Sequence, residues 1–70
     1  MTEGEHLYGL VTESADARAC VARMAKHELK LLAGHITHLV RVNDGAETGI
    51  PGLCRGLVEM EAAERFLKEQ

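Results

Sequence analysis

The feature that most constrains this chain is an apolar row, Ala22, Ala25, Leu29, Leu32, Ile36 and Leu39, recurring at steps of 3, 4, 3, 4 and 3. That spacing is the seam of an amphipathic, coiled-coil-like helix and does not fit a strand, whose side chains alternate every two residues. Extended backwards, the pattern reaches Ser14 or Thr12, either of which can cap a helix start; forwards it meets Asn43-Asp44-Gly45, which end one. The spacing predicts one helix over residues 14–42, roughly 43 Å long at 1.5 Å per residue. Gly34 costs that helix about 1 kcal/mol relative to alanine. The seam keeps phase from Leu32 to Ile36, so the helix is read as continuous across it.

Residues 43–50 read as a loop rich in glycine, and the only proline, Pro51, suits the first turn of a second helix over 51–69. The second helix carries a main stripe of Leu53, Leu57, Met60, Ala63 and Leu67. A further line of Val58, Ala62 and Phe66 lies on another side. Residues 1–13 contain Gly9 within a short run and read as an N-terminal arm, either extended or a short strand. The expected fold is therefore all-α: one domain, a helical hairpin with a short arm.

Size then enters the argument. With 70 residues and only two aromatic side chains, Tyr8 and Phe66, the chain must build its core from aliphatic groups. A domain this small buries only roughly 60% of its unfolded surface and usually needs disulfides, a metal or a partner. Its first helix is apolar on two sides. Cys20, Met24, His27, Leu31 and His38 fall within about 60° of arc at 100° per residue, opposite the seam. A helix apolar on two faces needs two neighbours, supplied by a second copy or, over part of the second face, by the N-terminal arm. The expected solution is a dimeric four-helix bundle, with a dimer seam of Ala25, Leu29, Leu32, Ile36, Leu39, Leu57 and Met60.

The same residues narrow the chemistry. Cys20 and His27 are about 10.5 Å apart along the helix axis, too far for a nucleophile and its base. His35 and His38 share a face, but His27 lies about 12 Å along the axis from His35, and a metal needs three or four ligands. The pair reads as surface histidines. Glu59, Glu61 and Glu64, interleaved with Arg55, Arg65 and Lys68, form a solvated face, with Glu61–Arg65 and Glu64–Lys68 in the favourable i to i+4 order. No catalytic residue, cofactor or metal is expected, and no enzyme activity.

Net charge is −3, but residues 14–42 hold a local excess of +3 that includes a basic stripe of Arg23, Lys26 and Lys30. No aromatics interleave with the stripe to stack bases, so nucleic-acid binding through the first helix stands as the alternative to a protein partner, with a His/Cys metal or redox site at His35 and His38 ranked behind it. The first 15 residues lack a basic start and an apolar run, and no stretch approaches a membrane span. The expected location is cytoplasmic, with Cys20 and Cys54 as free thiols. What remains is association. The expectation is a small regulatory protein, of the kind bacteria and phages encode, that dimerises and docks on a larger protein to inhibit or modulate it. The partner face would comprise Tyr8, Cys20, Met24, His27, Leu31 and His38.

Overall fold

The N-terminal segment, expected as an arm, is a helix. The computed structural model describes residues 2–42 and 49–69. Four helices follow in order: α1 (Glu3–Glu13), α2 (Ala17–Ala22), α3 (Lys26–Val42) and α4 (Gly49–Lys68), with no strand among the described residues. The all-α expectation holds. The expected loop falls largely on residues 43–48, which lie outside the described residues.

Local chemistry explains α1. Thr2 is its N-cap, and the Thr2 hydroxyl accepts a hydrogen bond from the Glu5 backbone N–H at 3.2 Å. Glu3 and Glu5 place negative charge in the first turn, where the helix dipole favours it. Leu7 and Val11 are fully buried, so one side of α1 enters the core. Gly9 costs helix propensity, yet burial of these two side chains, worth about 1.5–3 kcal/mol each, outweighs it.

The single helix expected over 14–42 is broken, though not at Gly34. Asp16 caps α2, its carboxylate accepting from the Ala19 N–H at 3.1 Å, and α2 ends at Ala22. The next helix starts at Lys26, where the Glu28 carboxylate reaches back to the Ala25 N–H at 2.8 Å. That contact is the returning half of a capping box. The buried row shows why the break is needed: Val21, Met24, Leu29, Leu32, Ile36 and Val40 are buried, with a step of five between Met24 and Leu29. On one straight helix that step would turn the two side chains about 140° apart. Breaking the helix lets both face inward. Ala22 and Ala25, which kept the sequence pattern in phase, are exposed. From Lys26 to Val42 the helix is continuous through Gly34.

α3 is the central element and packs against both α1 and α4, while α2 bridges α1 and α4. Leu32 and Ile36 sit at its middle with essentially no exposure. The α1–α3 crossing is close. A Cβ placed on Gly4 would lie 2.8 Å from the Leu31 carbonyl oxygen and 3.0 Å from the His35 Cβ. One turn further along α1, Tyr8 meets the His35 ring edge to face at 5.3 Å. α1 therefore packs along the His35 edge of the second face of α3, which a second copy was expected to cover, and leaves the His27, Leu31 and His38 side chains exposed. α4 contributes only Cys54 and Val58 to the buried set, with Leu57 packed at its margin. Its first residue, Gly49, has φ 71°, a backbone conformation that glycine adopts without penalty.

Candidate functional site

The expected dimer seam is mostly internal to one chain. Leu29, Leu32 and Ile36 belong to the chain's own core and offer a second copy nothing without unfolding. Leu39 and Leu57 are half-buried, Ala25 is exposed, and only Met60 stands well out, 48% exposed. The expected partner face is also divided. Met24 is buried, and Cys20 on α2 packs against the core, as does the half-buried Tyr8. His27, Leu31 and His38 remain exposed on α3, beyond the break. Arg23 lies in that break, so the basic stripe is reduced to Lys26 and Lys30 on α3.

Exposed apolar surface concentrates instead on α4. Leu53 is 69% exposed and Leu67 71%, with Met60 between them. Leu53, Gly56, Met60, Ala63 and Leu67 step by 3, 4, 3 and 4, which confines them to about 80° of arc. No charged side chain of α4 interrupts the row, and the Arg18 guanidinium of α2 reaches the Met60 sulfur at 3.8 Å. The row lies on the side of α4 away from Val58 and Cys54, and Ile50 extends its margin. Stripes of this kind read as buried; here Cys54 and Val58, on the opposite side of α4, face the core instead.

A second open feature runs between α3 and α4. It is a groove of about 590 Å³ with a floor of Leu29, Ala33, Val58 and Ala62 and with Phe66 at its edge. Lys26, Lys30 and Lys68 stand on its rim, opposed there by Glu69 alone. Arg65 also borders it, but its charge is committed. Arg65 pairs with Glu61 at 2.7 Å and donates to the carbonyls of Ala22, at 3.2 Å, and Met24. Those carbonyls belong to the α2–α3 break, so Arg65 satisfies the chain ends the break leaves open. Glu64 pairs with Arg18 of α2 at 2.5 Å rather than with Lys68. Among the described residues no ion pair engages Lys26, Lys30 or Lys68. A smaller hollow, about 150 Å³, shares Ala33 and Val58 with the groove and carries it on towards Thr37 and Arg55.

The reactive side chains are dispersed. Burial raises the pKa of the Cys54 thiol, and that of the Tyr8 phenol, which also feels Cys54, so both groups hold their protons. A protonated, buried thiol is a poor nucleophile. Cys20 and His27 lie on different helices, α2 and α3. The His35 and His38 rings are 6.4 Å apart, and among the described residues no three His, Cys, Asp or Glu side chains gather as metal ligands would. Both cysteines are free, and no helix among the described residues is long and apolar enough to cross a membrane. Compared with known proteins, the chain matches no family model, no curated protein and no solved structure.

Proposed function

We propose that this is a small non-catalytic regulatory protein of the cytoplasm that dimerises and docks on a larger protein to inhibit or modulate it. The observation that carries the proposal is the apolar row Leu53–Gly56–Met60–Ala63–Leu67 on the outside of α4, whose ends Leu53 and Leu67 stand 69% and 71% exposed while Arg18 of α2 touches Met60 at its middle. A heptad row specifies another helix with the same repeat. Because the row carries no charge, a second copy meets it without repulsion, and the small residues Gly56 and Ala63 allow close approach. The dimer therefore forms through α4, not through the core row of α3, and each protomer keeps its own four helices. Two free thiols in the chain suit a reducing compartment.

Light scattering and cross-linking test both halves. Wild type is expected at a mass near twice 7.6 kDa, and a Leu53→Glu/Leu67→Glu variant at the monomer mass with unchanged helix content, since neither side chain is part of the core. Cross-linking in the native cells is expected to trap the dimer and a heavier adduct. A monomeric wild type refutes the α4 dimer; trapping of the dimer alone refutes docking.

A further inference from the structure

We propose that the α3–α4 groove is a docking site for an amphipathic helix of a partner protein, one whose apolar face is bordered by acidic side chains. The inference rests on the docking half of the function proposed above and names the partner's chemistry.

Three observations carry it. The first is shape. With its smaller continuation, the groove runs from Lys26 to Thr37 on α3 and from Arg55 to Glu69 on α4. That span is about 16–21 Å at 1.5 Å per residue, or three to four helical turns. A third helix laid along two packed helices completes a bundle layer, and its anchors at i, i+3 or i+4 and i+7 would meet the apolar floor. The groove is open along its length, whereas small-molecule sites enclose most of their ligand.

The second is charge. Lys26, Lys30 and Lys68 rim the apolar floor of the larger part, with one carboxylate, Glu69, among them, and in the continuation Glu59 is paired with Arg55 at 3.3 Å. Arg65 adds no capturing charge, being held by Glu61 and the carbonyls of the α2–α3 break. An apolar strip flanked by unpaired cations is complementary to an apolar helix face flanked by carboxylates. The exposed Phe66 offers a ring at the groove edge, and aromatic side chains are enriched among binding anchors.

The third is that no helix among the described residues presents an apolar face bordered by uncommitted carboxylates. The outer row of α4 is flanked by Glu59 and Glu64, but each is tied to an arginine, Arg55 and Arg18 respectively. The exposed residues of α1 are acidic, with Glu3, Glu5 and Glu13, but present a single large apolar side chain, Leu10. Inserting either into the groove of another copy would also join two unlike patches, a head-to-tail contact that builds rings or open chains and not a simple two-fold dimer.

The test uses a labelled synthetic helix of about four turns with leucines at the anchor positions and flanking glutamates, together with its lysine-flanked twin. Fluorescence anisotropy with the full chain is expected to show the glutamate peptide binding at least about tenfold more tightly than the lysine peptide, with affinity falling as salt rises. A Lys26→Glu/Lys30→Glu variant, folded by circular dichroism, is expected to reverse the preference. Amide shifts on binding should map to residues 26–33 and 58–69. Equal binding of both peptides, an unreversed preference, or shifts confined to Leu53 and Met60 would overturn the proposal. So would displacement of the peptide by laurate, by anionic phosphatidylserine vesicles or by single-stranded DNA, which would assign the groove to a lipid or to nucleic acid. If the peptide fails while a heavier adduct still forms in cells, docking stands and the groove is the wrong surface. The absence of any adduct sinks docking itself.

Discussion

Replacing Gly4 by alanine should destabilise the protein, although Gly4 is inside a helix and alanine is the better helix former. In isolation the exchange is worth about 0.5–1 kcal/mol in favour of alanine. At this position the new Cβ would sit 2.8 Å from the Leu31 carbonyl oxygen and 3.0 Å from the His35 Cβ. The first is roughly 0.7 Å or more inside ordinary contact. A backbone oxygen cannot rotate away, so α1 must lift from α3, loosening Leu7 and the Tyr8–His35 contact. Overpacking of this kind costs about 1–3 kcal/mol, and at the middle of both ranges the net loss after the propensity gain is about 1 kcal/mol. For a domain of this size that lowers Tm by roughly 4–8 °C. Gly9 and Gly34 are internal controls, because a Cβ at either meets nothing within 4 Å. Gly9→Ala and Gly34→Ala should each raise stability by about 0.5–1 kcal/mol. Thermal and urea unfolding followed by circular dichroism measures all three. If Gly4→Ala melted at or above the wild-type temperature, the close α1–α3 crossing would be wrong.

Further outcomes are expected from the remaining packing. Arg65→Ala, which removes the donor to the Ala22 and Met24 carbonyls and the partner of Glu61, should cost about 1.5–3 kcal/mol by urea titration. Arg65→Lys should recover only part, since an ammonium does not reproduce the guanidinium fork; full recovery would show that charge alone matters. In a thiol-reagent assay of the native protein, Cys20 should react first and Cys54, only 4% exposed, at a rate set by opening of the fold; equal rates would contradict the packing. Alkaline pH should destabilise the fold. Cys54 and Tyr8 both titrate above their ordinary values, 9.0 and 10.0, when folded, so the unfolded chain loses those protons first. Stability should be unaffected by these groups below about pH 8 and fall as pH rises through about 9 to 10. Cys54→Ala should blunt the dependence, read from urea midpoints at several pH values.

The part of the fold visible in the sequence is the part where one physical signal acts alone. Leu29, Leu32 and Ile36 repeat along α3 with nothing to contradict them, and α3 does run unbroken through Gly34. Pro51 lies in the first turn of α4, and Glu61 and Arg65 form the ion pair their spacing favours. The misreadings came where two signals competed. Gly9 argued against a helix over residues 1–13, while Thr2-Glu3-Gly4-Glu5 carries the Ser/Thr-x-x-Glu spacing of a capping box and marks the start of α1. Ala22 and Ala25 kept the heptad count in phase across the α2–α3 break. Alanine buries too little to enforce a face, and the larger Val21 and Met24 decided the register. Glu28, three residues beyond Ala25, was the available sign of a new helix start. The outward row on α4 was legible as a stripe but not as a surface. Which side of α4 faces in is settled by its packing against α3, α2 and α1, long-range contacts with no local signature.

Placing only Cys54 and Val58 of α4 among the buried apolar side chains has a consequence in time as well as space. The other three helices share the rest of the core, while α4 is held in part by polar ties, Arg65 to the α2–α3 break and Glu64 to Arg18. Such a helix should detach in a partial opening at lower free energy than global unfolding, and its amides should exchange with solvent ahead of those of α3. An occupant on either side of α4 would slow that exchange by the stabilisation that binding adds. Hydrogen exchange on α4 would then read occupancy directly: the helix that carries both open surfaces is also the protein's own gauge of whether they are filled.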